Sequence, residues 1–206
     1  MYIPKHFQAD DQDEMIEFMR RYSFATLINT KNNCPEATHL PFIVDLVGDQ
    51  LILSSHFAKT NSQADYVETN PSLVIFTEPH AYISPANYEK EQNVPTWNYI
   101  AVHAYGAAKI VHDEQGKLAM LEKMIGFYDK GYIAQWQNLP MDYKLKMIKG
   151  IVAFDITVND LQAKKKLSQN KTETERVNVI NSLNQSPHSN EQEIAAYMRA
   201  MKEQKI

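Results

Sequence analysis

One cysteine, six glycines and no long apolar run set the outer limits of this chain of 206 residues. Cys34 has no second cysteine to pair with, so a core rather than a disulfide must hold the fold, which suits a reducing compartment. It stands in Asn32-Asn33-Cys34-Pro35, a turn composition with no activating charge beside it, and reads as a surface thiol rather than a nucleophile. The few glycines include no G-x-G-x-x-G fingerprint, Walker loop or G-x-S-x-G elbow. No stretch approaches the roughly 20 apolar residues that cross a bilayer, and residues 1–7 lack the basic-then-apolar order of a signal segment. The expectation is a soluble, cytoplasmic protein without a membrane partner.

Basic charge is also scarce. A net charge of −4 and a pI near 6.0, with no helix-turn-helix signature or basic recognition helix, argue against direct contact with DNA. The run Lys164-Lys165-Lys166 has no interleaved aromatics, as a single-strand binder requires, and reads as the solvated face of a helix. None of the seven histidines sits at the i, i+4 spacing of a helical zinc site, so no metal is expected.

What is present is a globular composition, 44% hydrophobic and 22% charged, enough for one domain of the usual 100–200 or so residues. Residues 10–21 carry acids at the start, an apolar stripe of Met15, Ile16, Phe18 and Met19, and Arg20 and Arg21 at the end, the charge order of a helix. Short strands follow at 24–29, 38–47 with Pro41 as an interruption, 51–55 and 72–77. An irregular loop is expected over 79–88, and a long strand from Tyr99 to about His112. Helices are expected at 118–128 and 141–149, with an aromatic linker containing Tyr132 and Trp136 between them. A last strand covers 151–158. From Leu161 the chain is polar with a helical pattern, in which Glu173, Glu175 and Arg176 form an exposed charged helix, and a final helix covers 191–201. Short strands joined by turns favour antiparallel pairing and a closed or nearly closed barrel.

Two stretches carry candidate chemistry. In Ser54-Ser55-His56-Phe57-Ala58-Lys59-Thr60-Asn61-Ser62, strand hydroxyls and the Lys59 ammonium precede a helix expected to begin near Thr60 or Asn61. Unpaired amides at a helix start, a cation and hydroxyl donors can cradle phosphate; the same residues also describe an ordinary helix cap beside a surface lysine. In residues 94–106, Pro95, Thr96, Trp97 and Asn98 form a stiff turn that would deliver a large aromatic and an amide to the mouth of a sheet. His39, in Thr38-His39-Leu40-Pro41, lies on an edge that could offer its backbone to a ligand. No carboxylate pair or nucleophile stands out, so any chemistry would be carried by a bound cofactor.

These segments occur in an order that resembles a known family. Ala37-Thr38-His39-Leu40-Pro41-Phe42, His56-Phe57-Ala58-Lys59, the run from Phe76 to Pro85, Val94-Pro95-Thr96-Trp97-Asn98-Tyr99, Val102-His103-Ala104-Tyr105-Gly106 and Lys166-Leu167-Ser168-Gln169-Asn170 are similar to the PaiB-like FMN-binding split-barrel proteins. These are related to flavin reductases and pyridoxamine-phosphate oxidases. The resemblance covers residues 1–170 and leaves 171–206 as a C-terminal helical extension. It implies a mainly β fold, an antiparallel split β-barrel with flanking α-helices, forming a homodimer with FMN between subunits.

Carried over by residue, the resemblance gives the edge at Thr38, His39 and Leu40 to the isoalloxazine. Ser55, His56 and Lys59 fall to the ribityl and phosphate groups, with Ser54 and Asn61 also cofactor-binding, and Thr96, Trp97 and Asn98 come from the partner subunit as a wall or line the cleft. It implies either a flavin-dependent oxidoreductase or flavin reductase, with a nicotinamide electron donor as candidate partner, or a negative transcriptional regulator acting through FMN or a partner. Two positions depart from the family: Glu78 stands where glycine is usual and Asn87 where tryptophan is usual. The acidic side chain of Glu78 would oppose an anionic cofactor if its loop approached one.

Overall fold

In the computed structural model, residues 1–203 are described. Seven strands form one antiparallel sheet in the order β2-β1-β5-β6-β7-β4-β3: β1 (Phe24–Lys31), β2 (Cys34–Pro41), β3 (Ile43–Val47), β4 (Gln50–Ala58), β5 (Ser72–Ile83), β6 (Thr96–Ile110) and β7 (Ile151–Lys166). The helices are α1 (Gln12–Arg21), α2 (Glu114–Tyr128), α3 (Ile133–Asn138), α4 (Met141–Ile148), α5 (Glu173–Asn184) and α6 (Ser189–Glu203). The chain divides into two compact units, residues 16–76 with 103–161 and residues 1–15 with 77–102 and those from 162 on. β5, β6 and β7 contribute to both.

The first unit is a curled sheet around aromatic side chains. Asn32 and Asn33, at φ 53° and 61°, make the two-residue turn that pairs Lys31 with Cys34. Left-handed backbone at both positions matches the twist of the flanking strands, and asparagine tolerates it. β1 alternates so that Ala25 and Leu27 point inward and are buried. Phe42, Phe57, Phe76 and Phe154 are fully buried. Phe57 and Phe154 stack with ring centres 4.6 Å apart, and Phe42 meets Phe76 edge-on at 6.0 Å. Such rings provide most of a small barrel's apolar burial, at about 25 cal/mol per Å². Ser55 Oγ donates to the Pro41 carbonyl at 2.7 Å, tying β4 to the end of β2 although the two lie far apart in strand order. The sheet therefore curls on itself, the nearly closed barrel expected from its short strands.

Gly106 permits the close approach of β6 to β7. A Cβ there would overlap the Thr157 carbonyl oxygen and lie 2.7 Å from Ile156 Cγ2, so only glycine fits.

Three expectations are corrected. The loop over 79–88 is strand as far as Ile83. Two consecutive exposed residues, Thr77 and Glu78, shift the inward set from Phe76 to Pro79, Ala81 and Ile83, and that slip in alternation hides the strand from a period-two reading. β7 does not stop at Val158 but continues to Lys166. Lys164-Lys165-Lys166 is consequently strand rather than helix, and Lys164 is 8% exposed. Its Nζ donates to the Tyr2 carbonyl and lies over the rings of Tyr2 and Tyr99, which cover a lysine stem well enough to bury it. Finally, Glu175 and Arg176 are buried, not exposed. Glu175 closes a capping box with Thr172, the reciprocal arrangement that T-x-x-E encodes.

Candidate functional site

β2 is an edge strand, and its polar side chains are held from behind. Thr38 Oγ1 accepts from Asn61 Nδ2 at 2.9 Å and bonds to Gln63 Oε1. Gln63 Nε2 donates to Asn29 Oδ1 and to the Glu36 carbonyl, each at 3.2 Å. Asn29 Nδ2 donates to Ser72 Oγ at 2.9 Å. Gln63 and Asn29 are each 1% exposed, so this is a buried network with its members satisfied, the kind that fixes one geometry. It joins Thr38 and Asn61, two of the residues singled out from sequence. Gln63, its hub, was missed; the available signal was its position two residues after a capping asparagine, where Gln63 N donates to Asn61 Oδ1 at 2.9 Å.

The helix expected after Lys59 is a single 3₁₀ turn, Ser62–Asp65, capped by Asn61. Four residues build almost no dipole, so the anion-binding argument from a helix start falls away and the Lys59 ammonium carries it alone. Lys59 is exposed; its backbone amide donates to the Gly150 carbonyl at 2.8 Å, extending the β4–β7 ladder and fixing where the side chain leaves the sheet. His39 is exposed and stacks on Phe24 at 6.4 Å, while Leu40 is buried at 9%.

Along β4 the hydroxyls are already engaged. Ser54 Oγ donates to Asp155 Oδ1 at 2.6 Å and Ser55 Oγ to the Pro41 carbonyl. His56 differs: it is half-buried and its Nδ1 is buried without a hydrogen-bond partner. Burial holds its pKa below the usual histidine range, since a charged imidazolium loses hydration there. A neutral ring with one unpaired nitrogen has a hydrogen-bonding position open to a ligand or a water, a state that His103 Nδ1 shares.

The second unit holds Thr96, Trp97 and Asn98. They do not form the stiff turn expected, because β6 begins at Thr96; strand alternation sends Trp97 and Asn98 to opposite faces. Trp97 is 51% exposed and meets His80 at 5.9 Å and Tyr82, edge-on, at 5.8 Å. Asn98 is fully buried: its Nδ2 donates to Ser168 Oγ at 2.9 Å, and Ser168 Oγ contacts Asn98 Oδ1 at 3.2 Å. Thr96 Oγ1 accepts from Lys166 Nζ. The sequence motif thus divides into an outward aromatic cluster and an inward polar one.

A family model described as "Putative FMN-binding domain" matches residues 1–160. The chain is 41% identical over 204 residues to the Protease synthase and sporulation protein PAI 2 of Bacillus subtilis (strain 168), covering 96% of each chain. Among solved structures it is similar to the FAD and heme binding protein from Mycobacterium smegmatis, with TM-score 0.62 and 14% identity over 82% of this chain and 78% of that one. It is also similar to the flavocytochrome Anf3 from Azotobacter vinelandii, with TM-score 0.63 and 16% identity over 80% and 72%. At such identities the likeness shows the fold alone, an antiparallel split β-barrel.

Proposed function

The chain belongs to the family described as "Putative FMN-binding domain", and from that membership we propose that it is a flavoprotein holding FMN against the outer edge of β2 and the end of β4. The observation that carries this reading is His56, a neutral side chain in the family's motif whose buried Nδ1 has no partner. Three groups fit the demands of a flavin mononucleotide. Lys59 presents an exposed ammonium for the phosphate. His56 offers an unpaired nitrogen. The free edge of β2 at Thr38, His39 and Leu40 offers backbone donors and acceptors for a polar ring edge.

FMN, when bound, supplies one- and two-electron redox chemistry. The protein's part is to bind, orient and exclude water. The Thr38–Asn61–Gln63 network fixes the β2 edge, so that its backbone meets the ligand without reorganising. Ser54 and Ser55, whose hydroxyls bond within the fold, hold β4 in place for His56 rather than reaching out themselves. Any nicotinamide donor would approach from the solvent side.

The assembly in this reading is a homodimer with FMN at the interface, supported by the exposed Trp97, Tyr82 and His80 cluster, since aromatics of this kind anchor interfaces. Exposed Cys34 and the absence of a disulfide fit a cytoplasmic setting, and no helix among the described residues is long and apolar enough to cross a membrane. Identity to PAI 2 supports a second reading, in which the same flavin site serves regulation without turnover, through FMN or a partner protein.

Titrating the flavin-free protein with FMN by fluorescence quenching tests the first claim. Saturable one-to-one binding is expected, and no quenching overturns it. Oxidation of NADH or NADPH by the loaded protein then separates the two readings.

A further inference from the structure

Asn98, Ser168 and their neighbours line a cavity of about 240 Å³ whose charge is unbalanced. Lys166 and Lys171 both line it. Lys166 Nζ donates to Thr96 Oγ1 and lies 5.9 Å from the centre of the Phe7 ring. Lys171 Nζ lies 3.6 Å from the centre of the Tyr88 ring and donates to Asn93 Oδ1 at 3.1 Å. Every one of these partners is neutral.

No aspartate or glutamate lines the cavity, and the nearby acids are engaged. Glu14 pairs with Lys165, the one lysine of the run with a carboxylate partner. Glu175 accepts from the backbone amides of Thr172 and Glu89 at 3.3 and 3.2 Å, and Glu89 Oε2 accepts from Thr172 Oγ1 at 3.0 Å. Two lysines therefore line one cavity that has no carboxylate in its lining, while Glu175 and Glu89, held by neutral donors, keep their charge outside it. Burial pushes the Lys166 pKa down, Tyr99 partly offsets this and Lys164 adds to it, with desolvation of the ammonium the leading cause. An ammonium carries three donors; Lys166 uses one on Thr96.

We propose that this cavity binds a small organic anion, a carboxylate or a phosphate monoester, whose charged end bridges Lys166 and Lys171 and whose apolar body lies against Phe7, Tyr88 and Pro95. Its volume lies below the roughly 300 to 1,000 Å³ of pockets that take drug-sized ligands, which favours a small occupant. The phosphate end of FMN shares this chemistry. The inference stands whether or not FMN binds to β2 and β4.

The test is calorimetric titration of the full-length, flavin-free protein with phenyl phosphate and benzoate, using benzamide as the neutral counterpart. At least one of the anions should bind while benzamide does not. Lys166→Met and Lys171→Met should each weaken binding about ten-fold or more, the value of one charge-assisted contact. Lys166→Arg, which keeps the charge, should retain binding and guards against mere misfolding. Lys165→Met, which removes the lysine paired with Glu14, should change nothing. Equal binding of benzamide, no binding of either anion, or equal losses in Lys165→Met and Lys166→Met would overturn the proposal. Repeating the titration with FMN-saturated protein identifies the source of the anion: competition assigns it to the flavin phosphate, and undiminished binding to a separate ligand.

Discussion

Asn98 and Ser168, seventy residues apart in sequence, face each other in the interior through both atoms of one amide. Nδ2 donates to Ser168 Oγ at 2.9 Å while Oδ1 lies 3.2 Å from the same hydroxyl. Ser168 adopts φ 59°, a left-handed conformation unusual for serine. The pair anchors the residue just past the end of β7 to β6.

Removing Asn98 leaves the buried Ser168 hydroxyl without its partner, and removing Ser168 leaves Asn98 only the weak contact of Nδ2 with Met198 Sδ at 3.5 Å. Asn98→Ala is expected to destabilise the protein by about 1–3 kcal/mol, read as a lower urea midpoint. Ser168→Gly should cost less than Ser168→Ala by about 1 kcal/mol, because glycine adopts φ 59° without the Cβ clash that alanine retains. Equal losses from the two would show that the backbone conformation stores no strain.

Gly106→Ala tests the contact between β6 and β7. The added methyl overlaps the Thr157 carbonyl, a backbone atom that cannot rotate away, so the strands must part. A loss of about 1–3 kcal/mol is expected, seen as a fall in Tm; an unchanged Tm would mean that the strands separate freely.

Stability should decline on mild acidification. In the unfolded chain His56 takes its proton near the ordinary value of 6.5, whereas burial in the fold holds its pKa lower. Between those two values the unfolded state binds more protons, so stability rises with pH. With respect to this group the fold is at full strength above 6.5 and weakens as pH falls from there to the folded value. Burial depresses His103 in the same direction. His56→Gln should flatten the decline between about pH 7 and 5, measured by urea unfolding across that range.

Lys59→Ala should weaken FMN binding about ten-fold or more if the ammonium meets the phosphate, and the difference should shrink in high salt as an exposed charge contact is screened. Undiminished affinity in Lys59→Ala would remove Lys59 from the site and leave His56 and the β2 edge as the binding elements.

Much of this protein was legible before any coordinates. Two asparagines in series specify the turn between β1 and β2, and the acid-to-base order of residues 10–21 specifies α1 closely. T-x-x-E at Thr172 and Glu175 is a local signal for the cap of α5, although reading the segment as an exposed charged helix passed over it. Such features depend on neighbours a few residues apart, which the sequence displays. Thr38 and Asn61 could be named from motifs as well, and so could His56.

Tertiary structure alone decided how those residues are used. Three consecutive lysines look solvated in one dimension. In three, Tyr2, Tyr99 and Phe7 arrive from distant segments, Glu14 takes up Lys165, and the other two are left without a carboxylate. A local cap places Gln63 beside Asn61, yet only the fold shows that it links Thr38 to Asn29, because β1, β2 and the 3₁₀ turn converge on it. The sequence by itself determined the strand chemistry and the family. Which polar groups are satisfied and which still lack a partner depends on contacts between segments far apart in the chain, and only the folded structure decided that.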